Sequence, residues 1–465
     1  MKSKQDYLNQ HSKPVTRRDF ISRGLYGACG YVVAPSVLGW LLGGDSKADP
    51  TKASPKFITF DLVGGAAMFG NFLVGGAGGP EDLLKSYSLL GWDPRAASAL
   101  DRRFGLPMAA NNVSQMLSGI LQTASAAAQK NFRMGSLLHV AQIDTADNPL
   151  SILGLVSASG LASGGTISSP TGLKDTFSGG RSGPLFDIPA NRPTFVKDVS
   201  TLVNSVGLSG NLTTLSDDKK VKAAKLLSRL STSQAKAMLG GPLSQAGFEY
   251  LSGLFGPLPD HIQSGAFMDP RKNLDFQQIY GISEASAQND PQVLRAALAM
   301  NTLAGNTGPS VITIEGCDYH DGTQTTGDAK DLEIGKEIGK VIEAAARLKT
   351  PLVIHIITDG GIYPLANTRK WTGDNVETCM TVMGVYQPNG VPAYYANNRM
   401  QIGAYTQNQG ADRSTLIGSN TALVANAAFA NYLSIAGRMD LLTSVFPKTL
   451  GASQLESTLL FGAIS

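Results

Sequence analysis

Charge is scarce in this chain of 465 residues: Asp, Glu, Lys and Arg make up 16% of it, against the ~25% usual in soluble domains. What charge there is has no dominant sign. The formal net charge is +3, but residues 1–48 hold seven Lys and Arg against three Asp and Glu, which leaves the rest of the chain with 32 positive and 33 negative side chains. A nearly neutral body offers no electrostatic footprint for nucleic acid, so that class of partner is excluded. Cysteine is scarce too: three residues are too few for a disulfide framework. Beyond residue 48 no apolar run reaches the ~20 residues that a membrane-spanning helix needs. The 52 glycines follow no three-residue period, which excludes a collagen-like chain, and no internal repeat is visible. Against these absences stands a hydrophobic content of 42%. That is enough for a sizeable core and excludes a disordered chain.

The first 48 residues read as an export signal. Thr16-Arg17-Arg18-Asp19-Phe20-Ile21 has the form S/T-R-R-x-F followed by an apolar residue, the twin-arginine pattern. It follows a basic segment (Lys2, Lys4, Lys13) and precedes the apolar run 24–43, whose five glycines and Pro35 keep it only mildly hydrophobic. Ser46-Lys47-Ala48 supplies small residues at −3 and −1 of a cleavage site. The expected destination is the periplasm. Membrane contact is expected only through the twin-arginine translocase, or through an uncleaved signal acting as an anchor. Cys29 does not make a lipoprotein signal, because Tyr26 stands where a lipobox wants Leu. After cleavage Cys317 and Cys379 remain. They either pair in the oxidising compartment or stand as two buried thiols.

Residues 49–465 read as a single α/β domain. The apolar, β-branched run 57–63 ends at Gly64-Gly65 and predicts a buried first strand entering a tight turn. A helix is expected over 113–130 and a strand over 137–143. Residues 151–301 read as an insertion or cap: a Gly/Ser-rich excursion with a helix near 196–206, an amphipathic helix over 217–239 and further helical segments. The second half returns to alternation, with a strand at 310–314, a helix at 331–348 and a strand at 351–358 of the continuous apolar kind found in parallel sheets. Strand, helix and strand at that spacing make a βαβ unit. Another strand near 378–385 and a closing helix over 420–442 complete the expectation of a mostly parallel sheet sandwiched by helices.

Ligands of open α/β sheets gather at the carboxyl ends of the strands. Here those ends carry Asp61, Asp318, His320 and Asp359. Asp318 and His320, two apart on a loop, can face one cation with Asp321 orienting the imidazole, and Asp359 adds a carboxylate at the same edge. Carboxylate with imidazole suits Zn²⁺ or Mn²⁺. The bland reading of each Asp is a helix cap or turn former, and His355, inside an apolar run, reads as a core histidine.

The twin-arginine start, the strand into Gly-Gly and the late Gly316-Cys317-Asp318-Tyr319-His320 block resemble the domain-of-unknown-function 1501 (DUF1501) family. These are exported members of the alkaline-phosphatase/sulfatase-like superfamily. The resemblance is strongest over 57–76 and 310–385. It implies an alkaline-phosphatase-like fold with a divalent metal pair at the carboxyl edge. The family's G-x-D-T-H falls on Gly316, Asp318 and His320, with Tyr319 in place of Thr, and its S-E-F-G-R turn falls on Thr358 to Gly361, keeping the acid as Asp359. Its R-G-G-x-D-G becomes Val63-Gly64-Gly65-Ala66-Ala67-Met68, which loses Arg and Asp, although Asp61 lies close by. Its D-H-G falls near Asp374, without the His, and Ser151 lies where its S-H-F would stand. The resemblance therefore implies a metal-dependent hydrolase of phosphate or sulfate esters with an eroded site. Its ligands would be Asp318, His320 and Asp359, assisted by Asp61 or Asp374, with Ser151 the nucleophile candidate. The alternative is a pseudoenzyme: a periplasmic protein that binds or assembles with an envelope protein, keeping the fold without chemistry or metal.

The export reading makes a direct prediction. Replacing Arg17 and Arg18 together by Lys strands the protein in the cytoplasm. Cell fractionation checks this, and undiminished periplasmic recovery of the double variant refutes it.

Overall fold

In the computed structural model, residues 54–79, 82–84, 99–110, 113–141, 150–162, 170–173, 193–205, 268–319, 324–358, 360–361, 377–396, 399–445 and 452–464 are described. The chain divides into two units, Met1–Lys47 and Ala48–Ser465. The twin-arginine motif lies outside the described residues, and the following concerns the second unit.

Its strands, in chain order, are β1 (Lys56–Leu62), β2 (Leu100–Asp101), β3 (Met108–Ala109), β4 (Phe132–His139), β5 (Thr171–Gly172), β6 (Thr194–Phe195), β7 (Ser310–Ile314), β8 (Leu352–Thr358), β9 (Cys379–Tyr386) and β10 (Gln401–Ile402). β2 pairs with β3, and the other eight form one sheet in the order β10-β4-β9-β8-β1-β7-β5-β6. Among the described residues only β9 runs antiparallel to its neighbours there; the other pairings are parallel.

Alternation along β1 explains why the sheet is covered on both faces. Ile58, Phe60 and Leu62 enter one core, together with residues of α1 (Gln115–Thr123), α4 (Val199–Ser205), α5 (Leu274–Tyr280), α6 (Pro291–Ala304) and α7 (Gln324–Arg347). Phe57 enters a second core, with residues of α3 (Leu153–Ser159) and α8 (Thr421–Ile435). Because both faces are buried, β7, β8 and β9 are buried at every position, which is why their sequences are near-continuous apolar runs. The result is a mostly parallel mixed sheet between helices.

Several boundaries differ from expectation, each for a local reason. The helix expected over 113–130 is two helices, α1 and α2 (Ala126–Lys130). Ser125 breaks it: its hydroxyl accepts from Ala128 N at 3.3 Å as an N-cap, and its own N–H donates to Glu343 at 2.9 Å. β4 begins at Phe132 and α7 at Gln324, both earlier than their apolar patterns suggested. The closing helix stops at Ile435. There the backbone turns, and Asn431 ties the following segment back by donating to Thr458 O at 2.7 Å and accepting from Leu460 N at 2.6 Å. The stretch 151–301, expected as an insertion or cap, is described only in part. Its described parts supply strands β5 and β6 to the main sheet, and its α6 packs in the same core as β1. The helix expected over 217–239 lies outside the described residues.

Helices α1 and α7 approach so closely that backbone meets backbone. A Cβ on Gly335 would stand 2.0 Å from Met116 O, and one on Gly119 would stand 2.5 Å from Leu332 O. Gly339 closes the seam against Ile120, and Thr123 Oγ1 donates across it to Lys336 O at 2.9 Å. At Gly335 and Gly119 every atom met is backbone, which cannot yield as a side chain could. Gly335→Ala should therefore force the helices apart and cost about 2–3 kcal/mol of stability, measured by urea unfolding. An unchanged midpoint would contradict this packing.

Candidate functional site

Parallel register brings three distant segments to one edge of the sheet. Leu62 of β1 stands opposite Ile314 of β7 on one side and Thr358 of β8 on the other. The turn 63–65, the loop 315–319 and the chain beyond Thr358 therefore leave the carboxyl edge side by side. Hydrogen bonds knit them together: Cys317 N donates to Val63 O at 3.0 Å, Tyr319 N to Gly65 O at 3.4 Å, and Ala66 N to Thr358 Oγ1 at 2.8 Å. Gly64 has φ +110° and would place a Cβ 2.7 Å from Asp318 Cβ. Glycine is thus required twice over, by the left-handed backbone and by the close approach.

The proposed ligands occupy different environments. Asp61, the penultimate residue of β1, has a side chain with no solvent exposure, whereas Asp318 is exposed. His320, Asp359 and Asp374 lie outside the described residues. Ser151 is buried and lies two residues ahead of α3. Among the described residues no three His, Cys, Asp or Glu side chains converge. Asp61 and Asp318, one buried and one exposed, do not by themselves fit a cation.

The two remaining cysteines are both buried and free. Cys317 belongs to the core of Phe60 and Cys379 to that of Phe57, so they do not pair. Burial is the main reason the Cys317 thiol is pushed up, and Asp331, Glu333 and Asp61 add to it while Lys330 opposes. This leaves a protonated thiol rather than a reactive one.

Two histidines on the sheet are neutral core residues. His355 is fully buried, its Nδ1 3.5 Å from Thr59 Oγ1. Burial, then the nearby His139, pushes it down to about 3. His139, which sequence reasoning passed over, lies 2.6 Å through Nδ1 from Val140 O and 3.0 Å through Nε2 from Thr381 Oγ1. The carbonyl can only accept, so Nδ1 carries the proton and Nε2 accepts from the threonine. Burial pushes His139 down to about 4.

Sequence reasoning also missed a buried acid behind the motif loop. Asp331 on α7 accepts from Tyr319 OH at 2.8 Å and from Asn71 Nδ2 at 2.7 Å. Asn71 Oδ1 in turn accepts from Ser114 Oγ at 2.7 Å, and Ser114 caps α1 through Leu117 N. A signal was present: Asp331 stands three and seven residues before Ile334 and Ile338, on the apolar stripe of its helix.

A groove of about 430 Å³ lined by Glu377, Thr406, Asn408, Gly410, Ala411 and Arg413 lies where β9 begins, with Arg413 paired to Glu377 at 3.1 Å. Because β9 is antiparallel, its start lies at the carboxyl edge of the parallel strands.

No protein-family model matches the chain, and no curated protein does.

Burial pushes the Asp331 carboxyl up from 3.8 to about 7, against the opposing bonds from Asn71 and Tyr319. A folded-state value above the unfolded one favours the protonated form. Its stabilisation is complete below about pH 4 and is lost as pH rises through 7. Between pH 5 and 8 the wild type should therefore lose roughly 2–3 kcal/mol more stability than Asp331→Asn. Parallel pH–stability curves would contradict the assignment.

Proposed function

We propose that the chain is an exported hydrolase of phosphate or sulfate esters on an alkaline-phosphatase-like fold, a divergent DUF1501 protein. Its site is the carboxyl edge where β1, β7 and β8 end together. The observation that carries this reading is the level register of those strands, which sets Asp61, the Asp318 loop and Thr358 at the ends of adjacent strands. The mostly parallel sheet between helices supports the fold assignment. Zn²⁺ or Mn²⁺ would be held through Asp318, His320 and Asp359, with Asp61 or Asp374 assisting. Such an ion would supply Lewis-acid polarisation of the ester. Ser151 remains the nucleophile candidate.

A second reading, the non-catalytic envelope protein, is favoured by a specific observation: Asp61 is sealed in the core while Asp318 is exposed. Both readings place the protein in the periplasm, with membrane contact only in transit or through a retained signal.

One experiment separates them. Protein recovered from the periplasm, carrying Cys317→Ser and Cys379→Ser to remove thiol binding, is melted with and without Zn²⁺. It is then assayed on aryl phosphate and aryl sulfate. The hydrolase reading expects a Tm raised by several degrees that Asp318→Ala and His320→Ala abolish, together with turnover. No metal stabilisation and no turnover would establish the non-catalytic reading.

A further inference from the structure

We propose that Tyr319 and Asp331 are positioning residues: their hydrogen bond clamps the 315–319 loop to helix α7 and so fixes Asp318 at the carboxyl edge. This role rests on the functional reading above.

Tyr319 is the middle residue of the Asp318–His320 motif, and its ring is 1% exposed, sunk in the core beside α7. Its hydroxyl ends on Asp331, whose second oxygen is filled by Asn71. Each oxygen of a buried carboxylate thus meets a donor from a different segment, and removing either donor leaves a costly vacancy. The partners are themselves anchored. Asn71 is held by Ser114 Oγ and by Met116 N at 3.3 Å, both at the start of α1. The anchor therefore rests on three stretches of chain outside the loop: the turn at Asn71, the start of α1 and helix α7.

Helix α7 reaches the loop at a second point. Lys330 Nζ lies 3.8 Å from where a Cβ on Gly316 would stand. The loop is held by the backbone bonds of Cys317 N to Val63 O and Tyr319 N to Gly65 O and by the Tyr319 hydroxyl, and the exposed Asp318 stands between these holds, seated over Gly64. A tyrosine at this position does what a small hydroxyl residue cannot: it spans from the sheet edge to an acid on the covering helix. Substituting Tyr for the Thr of the resembled motif is, on this view, a change in how the loop is anchored.

The test is hydrogen–deuterium exchange on exported protein with the two Cys→Ser changes. A peptide covering the loop is compared with one covering β8 in the same molecule. Tyr319→Phe, which keeps the ring and loses the donor, should speed loop exchange at least tenfold, with β8 changing less than twofold. Asp331→Ala should do the same. Asp331→Asn, which keeps an acceptor for Tyr319 but sets an NH2 against the donor of Asn71, should restore part of the protection that Asp331→Ala loses. The double variant Tyr319→Phe, Asp331→Ala should be no faster than either single one. Zn²⁺ affinity by calorimetry should weaken at least tenfold in step with loop exchange. Unchanged loop exchange in Tyr319→Phe, or a rise shared equally by β8, overturns the clamp, even if zinc binds. If Asp331→Ala does not fold, Tyr319→Phe and Asp331→Asn still decide the matter. A wild type that binds no zinc, with the loop responding as described, overturns the functional reading and the role assigned to the clamp, but not the clamp itself.

Discussion

The level termination of β1 between two parallel neighbours is the constraint on which the rest depends. Leu62 faces Ile314 and Thr358 across the two ladders. A one-residue slip in either would send Phe60 and Leu62 to the wrong face and Asp61 into the opposite core. Register therefore does two things at once. It fills both cores, and it delivers segments far apart in sequence to one edge, where Gly64 and Gly65 are needed to let the neighbouring loop close over them.

The glycine seam and the buried acid belong to one arrangement. Asp331 and Gly335 are four residues apart on α7 and so share a face. The close approach at Gly119, Gly335 and Gly339 brings the start of α1, with Ser114 and its hydrogen bond to Asn71, against the first half of α7. Without that approach the donor from Asn71 has no acid to meet. The covering helices thus carry the polar network that seats the edge loop. The other face holds its polar side chains differently: His139 and His355 are uncharged, and they favour the fold at neutral pH and lose that contribution as acid charges them. The two faces respond to acid in opposite senses.

Much of the fold was legible because the strands are apolar on both faces. β1, β7 and β8 stood out as runs bounded by Gly, Pro and Thr, and the βαβ order fixed their parallel sense. The strand β9 was expected, but its antiparallel sense was not legible, since direction leaves no mark in a continuous apolar run. Nor were β5 and β6, whose two-residue lengths carry no period. Of the candidate site, the edge was readable from Asp61, Gly64-Gly65 and the Asp318 loop, because turn residues follow strands in a fixed way. The Tyr319–Asp331 bond was not, because it joins a loop to a helix face through tertiary packing. The contrast between a buried Asp61 and an exposed Asp318 was equally hidden, since burial of a strand-end acid depends on which face its neighbours cover.

The central proposal is that the carboxyl edge of this sheet holds a divalent cation. It is tested most directly by diffraction at the zinc absorption edge from crystals of the exported protein grown with Zn²⁺. The account predicts an anomalous peak beyond the ends of β7 and β8, within bonding distance of Asp318 and His320. A fully occupied peak elsewhere, with none at that edge, would contradict it.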